Sequence, residues 1–215
     1  MTMGFTEQET AKIVITKSRL KTIFETESTI TSWGHSVLGS IMTAPNLFVT
    51  GGAFSSLLND DPLKDIDVYF KNHATMVAIT EFLLSHEKDI QEVDEQYREV
   101  ECWKIPGKMV TEKSITMNNK FSFITMNHGY PADIKASFDF LHCTPHFDPA
   151  EDKLYISRAQ YDSIVTKTLV VNNPEKVTTW RTEKFSQRGW KVDRDIWNLA
   201  VKNSKGKKTP VIVSS

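Results

Sequence analysis

Asp65 and Asp67 stand two residues apart in Asp65-Ile66-Asp67-Val68-Tyr69-Phe70, where apolar and polar residues alternate as in a strand. Residues two apart on a strand point to the same side and lie roughly 6.5 Å apart along it. The two carboxylates are therefore presented together, with Ile66 turned to the core. Adjacent carboxylates suit hard divalent cations. Two Mg²⁺ ions about 4 Å apart can serve an in-line phosphoryl displacement, one activating the attacking hydroxyl and one neutralising the leaving pyrophosphate. Surface strands often carry Asp-x-Asp by chance, so the preceding segment decides its meaning.

That segment is Leu47-Phe48-Val49-Thr50, a short apolar run of strand type, followed by Gly51-Gly52 and a stretch, Ala53 to Leu58, that can start a short helix. Glycines at a strand-to-helix turn let the backbone approach a ligand, and N–H groups at a helix start attract an anionic triphosphate. Ser55 and Ser56 add hydroxyl donors.

The whole stretch from Gly51 through Leu57-Leu58 to Asp65-Ile66-Asp67 resembles the signature of the DNA polymerase β-like nucleotidyltransferase superfamily. It looks most like the head domain of the CCA-adding and poly(A) polymerase branch, in which two glycines precede an acidic-x-acidic strand at this interval. The resemblance implies that Gly51 and Gly52 contact the triphosphate of an NTP and that Asp65 and Asp67 bind Mg²⁺ or Mn²⁺. Where that branch usually has an Arg-Asp pair this chain has Ser55-Ser56, so phosphate contact and RNA acceptor both stay open. Sites of this superfamily usually draw a third carboxylate, often the base, from a neighbouring strand. Asp139 is the first choice, in a strand read over 137–141 whose aromatic neighbours Phe138 and Phe140 would face away from it. Asp133 is the second, weakened by the turn that Pro131 suggests. The Phe138-Asp139-Phe140 segment and the helix around Trp180 to Trp190 are also similar to small phage-encoded members of the superfamily.

A second chemical feature lies further on. Between Lys176 and Lys208 there are ten Lys or Arg against three acidic residues, a balance of +7 in a chain of net charge −1. Such asymmetry suits a phosphate partner, whether nucleotide or nucleic acid. On a helix after Pro174, Val177, Trp180 and Phe185 define an apolar face. Arg181, Lys184 and Arg188 fall within it, opposite Thr178, Thr179, Thr182, Glu183 and Ser186. Cations directed inward either snorkel to water or face a phosphate-binding cleft; the second choice makes this helix and the glycine turn two walls of one nucleotide site.

The elements that must position these residues read as an α/β (α+β) domain: a nucleotidyltransferase-type mixed sheet flanked by helices, with a C-terminal helical appendage. The division is 1–150 for the domain with its N-terminal helices and 151–215 for the helical segment with its basic tail. Helical spacing joins Ile13, Leu20, Ile23 and Phe24, then Ile30, Trp33, Val37, Leu38 and Ile41. Asn72 is placed to cap a helix bearing Met76, Ile79, Phe82 and Leu83. Strands are expected around 100–105, 114–117 and 121–126. The pattern turns helical from Ser157, with Tyr161, Ile164 and Leu169 as core residues, and Pro174 and Gly189 bracket one more helix.

Length and composition fit this reading. A chain of 215 residues with 40% hydrophobic and 25% charged residues can bury a real core, and no apolar run reaches the roughly 18 residues of a membrane span. Met1 to Thr10 lacks the pattern of a secretory signal. Two cysteines, Cys102 and Cys143, suit a reduced, cytoplasmic protein. His142, Cys143 and His146 lack the second Cys/His pair of a zinc site, and no P-loop is present. The expected activity is transfer of a nucleoside monophosphate, from ATP or another NTP, to a hydroxyl on an RNA 3′ end such as tRNA, on a protein or on a small molecule. Two other readings stay open: a non-catalytic module binding nucleotide or nucleic acid, and a toxin- or antitoxin-type modifier of tRNA or protein.

Overall fold

A computed structural model describes residues 4–27, 45–85, 102–105, 108–111, 113–117 and 120–204. Helix α1 (Glu7–Glu27) leads to strand β1 (Leu47–Thr50), the short helix α2 (Ala53–Asn59), strand β2 (Ile66–Phe70) and helix α3 (His73–Ser85). Four strands follow: β3 (Cys102–Ile105), β4 (Lys108–Thr111), β5 (Ser114–Met117) and β6 (Phe121–His128). Helix α4 (Pro131–Ala136), strands β7 (His146–Asp148) and β8 (Lys153–Tyr155), and helices α5 (Arg158–Val165), α6 (Thr179–Gln187) and α7 (Arg194–Ser204) complete the order. The sheet runs β3-β4-β5-β6-β2-β1-β7-β8. Its one parallel pair is β2 with β6; the other neighbours are antiparallel.

Period-two alternation sets the two sheet faces. Ile66, Val68 and Phe70 of β2 are fully buried, and with Val49, Phe121, Phe123 and Phe147 they build the first core. Leu20 and Phe24 of α1 cover it, the Phe24 ring lying 4.8 Å from that of Phe121. Ile79 and Leu83 of α3 close the other part. Asn72 caps α3, accepting from the Thr75 N–H at 2.9 Å. Phe82 stays 39% exposed, off the face expected for it. The second helical run, Ile30 to Ile41, lies outside the described residues.

A second core forms where the C-terminal segment meets the back of α2. Leu58, Phe140, Tyr161, Ile164, Leu169 and Phe185 are among its buried members. Ser157 starts α5 with a reciprocal capping box to Gln160. Thr178 caps α6 by accepting from the Arg181 N–H, and Gly189, at φ +81, ends its last turn.

Four expectations about elements need correction. Residues 137–141 are no strand. Ser137 ends α4, the Asp139 carbonyl accepts from the Asn172 and Asn173 N–H groups, and Phe140 makes only an isolated bridge to Val171. Loop contacts thus satisfy the backbone that a ladder would have used. Pro131, read as a turn, occupies the first turn of α4, where its missing N–H costs nothing. Pro174 opens a separate 3₁₀ turn, Pro174–Lys176, before α6 begins. The buried face of α6 also differs: Thr182 is fully buried, its hydroxyl donating to the Thr178 carbonyl, whereas Trp180 is 63% exposed.

His142 sits at the join of the two cores in a 3₁₀ turn, Leu141–Cys143, wholly buried among Phe140, Phe185 and Trp190. Neither ring nitrogen has a hydrogen-bond partner. Burial, aided by the Arg181 charge, pushes its pKa down to about 3. The unfolded chain therefore takes up a proton below its ordinary pKa of 6.5 that the folded chain refuses, so stability is lost as pH falls from about 6.5 toward 3. His142→Phe should keep the ring packing, hold or raise stability at pH 7, and flatten that acid loss in urea titrations. A drop above about 1 kcal/mol at pH 7 would reveal a polar partner for the ring.

Candidate active site

The pleat that buries Ile66 and Val68 turns Asp67 and Tyr69 to the opposite face. In register with Asp67 are Thr50 of β1 on one side and Ser122 of β6 on the other. Asp65 lies one residue before β2, not within it, and is exposed. The alternation still gives Asp65, Asp67 and Tyr69 as successive residues of one row. Tyr69, which the sequence reading passed over, stacks on Phe48 at 5.6 Å and approaches Phe138 at 6.1 Å. Extending the two-residue spacing from the aspartates would have found it.

Gly51 adopts φ +99, and a Cβ there would lie 2.6 Å from Asp67 Oδ2. The carboxylate is packed against the glycine backbone, a closeness only glycine allows at a backbone angle that favours it. The Gly51 N–H donates to the Cys143 carbonyl at 3.0 Å and so is committed to the fold. A Cβ on Gly52, by contrast, would meet nothing within 4 Å. Gly52 is the residue of the pair open to an incoming group. The serines divide likewise: Ser55 is buried and donates to the His142 carbonyl at 3.2 Å, while Ser56 is half-buried. Thr50 donates to the Pro145 carbonyl at 2.8 Å. These bonds staple the Leu141–Cys143 turn to the glycine turn.

Asp139 is buried and accepts two hydrogen bonds from Arg181, from Nε at 2.5 Å and from Nη2 at 3.1 Å, besides the Phe140 N–H. The expected third metal carboxylate is therefore engaged by a guanidinium. Among the described residues, no group of three or more His, Cys, Asp or Glu converges to hold a metal. Asp133, the second choice, is exposed on the first turn of α4. Arg181 likewise does not stand free for a phosphate: its fork is matched to the Asp139 carboxylate. Burial works against its charge, but the Asp139 bond and charge prevail and raise its pKa.

The remaining charges are not paired off. Lys17, Arg19, Lys71 and Lys167 each meet an Asp elsewhere, yet among the described residues Asp65, Asp67, Lys184 and Arg188 form no ion pair. Burial raises the Asp67 pKa to about 7, with the Asp65 charge adding and Arg181 and Lys184 opposing. Burial lowers that of Lys184, helped by Arg181 and Arg188 and opposed by Asp65. Carboxylates and cations thus feel one another across the site without touching. Arg188 caps the end of α6 and is exposed. Cys143 lies among these charges, its thiol pushed up to about 12 by burial, with Asp139 and Asp67 adding to the shift. Such a thiol is inert. No signal in the sequence marked the Cys143 carbonyl as an anchor. His146, held at 3.1 Å from Lys135 Nζ, is not part of this group.

The model of the Gabija anti-defense 2 family matches residues 14–167, well over half of the chain. The chain belongs to that family. The matched stretch contains Gly51, Asp65, Asp67 and Asp139 and ends before α6. No curated protein matches the sequence. Among solved structures, the chain resembles a Thermotoga maritima CCA-adding enzyme complexed with tRNA at TM-score 0.51 and 12% identity, over 86% of this chain and 45% of that one. It also resembles a CCA-adding enzyme in complex with CTP, again at TM-score 0.51 and 12% identity, over 91% and 44%. The chain spans less than half the length of these enzymes. At such identity the likeness shows the fold, an α/β nucleotidyltransferase-type mixed sheet flanked by helices. No helix among the described residues is long and apolar enough to cross a membrane.

Two measurements test this geometry. Gly51→Ala drives a methyl into Asp67 and should destabilise the protein by about 1–3 kcal/mol, whereas Gly52→Ala should leave the ligand-free Tm unchanged. Asp67 stays protonated in the folded state up to about pH 7, while the unfolded chain ionises from its ordinary 3.8. Stability therefore falls as pH rises through that window. Asp67→Asn should stabilise the metal-free protein, little at pH 4 and by about 1–2 kcal/mol at pH 8, a shift of one unit being worth ~1.4 kcal/mol before solvent screening. Equal Tm changes at both pH values would contradict it.

Proposed function

We propose that this Gabija anti-defense 2 family chain is a metal-dependent nucleotidyltransferase that moves a nucleoside monophosphate from an NTP, such as ATP, to a hydroxyl acceptor on an RNA 3′ end or a protein. One observation carries the reading: at the head of β2 two carboxylates form no ion pair among the described residues, one shielded enough to hold its proton to about pH 7, and the Lys184 charge acts on both of them without an ion-pair contact. Like charges brought together in partial shelter are relieved by a proton or by a cation between them. A divalent ion of the Mg²⁺ or Mn²⁺ class fits that donor set, and Asp65 and Asp67 would hold it. Bound there, such an ion neutralises phosphate charge and lowers the pKa of a hydroxyl.

The chain's own residues do the rest. Gly52 leaves room for the triphosphate beside the start of α2, with Ser56 at its edge, and Lys184 and Arg188 face its charge from α6. The acceptor oxygen forms a bond to the α-phosphorus as the bond to the β-phosphate bridging oxygen breaks, and pyrophosphate leaves. The acceptor's proton passes to a carboxylate of the Asp65–Asp67 pair. Asp139 is a positioning residue in this scheme: it fixes Arg181, whose charge borders Asp67.

A second reading, a nucleotide- or nucleic-acid-binding module without turnover, is favoured by the engagement of Asp139 with Arg181, which leaves two carboxylates where three serve as the usual set. Labelled NTPs incubated with Mg²⁺, total RNA and cell protein separate the two. Transfer of label with pyrophosphate release, abolished in the Asp65→Asn, Asp67→Asn double variant, supports the enzyme. Tight binding without transfer supports the module. The family's description adds a role against the Gabija defence. Expression in cells that carry this defence should restore growth of a phage it restricts, and the double variant should not.

Asp139→Asn distinguishes an anchor from a base. As the anchor of Arg181 it should lower NTP affinity about tenfold along with turnover, and cost about 2 kcal/mol of stability because a buried guanidinium loses its anion. A base would lower turnover alone, by about 10² or more.

A further inference from the structure

Trp180 is out of place as packing. It is 63% exposed on the first turn of α6, while the neighbouring Phe185 and Val177 are buried. Its ring is bordered by the site's cations: Lys184 Nζ lies 5.1 Å from the ring centroid and Arg181 Cζ 6.0 Å. A contact path runs from there to the carboxylates. Arg181 grips Asp139 at 2.5 Å, and Asp139 adjoins the turn whose Cys143 carbonyl takes the Gly51 N–H at 3.0 Å. Gly51 in turn abuts Asp67. Lys184 links the two ends: it lies against the exposed indole, and its charge acts on both Asp65 and Asp67.

We propose that Trp180 is the platform on which the base of the bound nucleoside triphosphate stacks, its phosphates running past Lys184 toward Asp65 and Asp67. The inference rests on the nucleotidyltransferase reading and adds the subsite that holds the base. An aromatic face left in water beside Lys184, a cation in no ion pair among the described residues, matches the two halves of a nucleotide, a flat π-surface joined to an anion. Stacking accepts any base because every base has a π-face. No side chain hydrogen-bonds to the Trp180 indole among the described residues, so the platform selects for a base over none and for the larger purine rings over pyrimidines.

The test compares two probes on the full chain with Mg²⁺: a non-hydrolysable ATP analogue and inorganic tripolyphosphate, which carries the same charges and no base. Trp180→Ala should weaken the ATP analogue about tenfold and leave tripolyphosphate unchanged, and Trp180→Tyr should restore most of the loss. Because Trp180 is exposed, both variants should keep the wild-type Tm. Equal affinity of wild type and Trp180→Ala for the ATP analogue overturns the platform. So does an equal loss for both probes, which assigns Trp180 to holding Lys184, and so does a loss confined to RNA binding. Wild type that binds neither probe defeats the nucleotidyltransferase reading itself, and binding of tripolyphosphate alone by wild type overturns the platform while sparing the anion site.

Discussion

The Asp139–Arg181 pair is the interaction on which the arrangement of the site depends. A carboxylate that is 5% exposed needs a matched partner, because desolvating it alone would cost several kcal/mol. The guanidinium offsets that cost with two bonds in matched geometry. To deliver it, α6 must lie with its first turns against the Leu141–Cys143 turn. That placement brings Lys184 within range of Asp65 and Asp67, and it leaves Trp180 at the rim. One buried acid therefore determines where an entire helix docks.

The other fixed point is the contact between Gly51 and Asp67. It joins β1 to β2 at the end of that pair where Asp67 is sheltered, and Thr50, Ser55 and Gly51 carry it on to residues 142–145. Each of these three donors is satisfied by a backbone carbonyl. The frame around the carboxylates is thus held by neutral hydrogen bonds, while the charges within it remain available.

The sheet was readable from sequence where alternation was strong. Ser114–Met117 was found to the residue, β2 nearly so, and Leu20, Phe24, Tyr161 and Ile164 were placed in the core. The glycine turn and the Asp65–Asp67 row followed from a local spacing of two. Asp139 was harder, because Phe138 and Phe140 on either side imitate a strand. Its backbone is instead satisfied by Asn172 and Asn173, a contact across the chain that no local pattern announces. Trp180 departs from its expected place for a related reason, whereas Arg181 does turn inward. Helical periodicity gives a wheel, but which arc turns inward was settled by one distant carboxylate and by the small, self-bonded Thr182.

The parallel pairing of β2 with β6 has a consequence for the order of events during folding. β1 and β2 are joined across a short connection and can pair early, whereas β6 reaches Asp67's strand only after α3 and the β3-β4-β5 meander have been made. Loop closure of that length is slow compared with a hairpin. Arg181 arrives later still along the chain. A growing polypeptide would thus carry both aspartates long before it carried the wall opposite them. The Asp65–Asp67 row and the Arg181 wall therefore come together only after α6 has been made, so the charged cleft is among the last features of the fold to be completed.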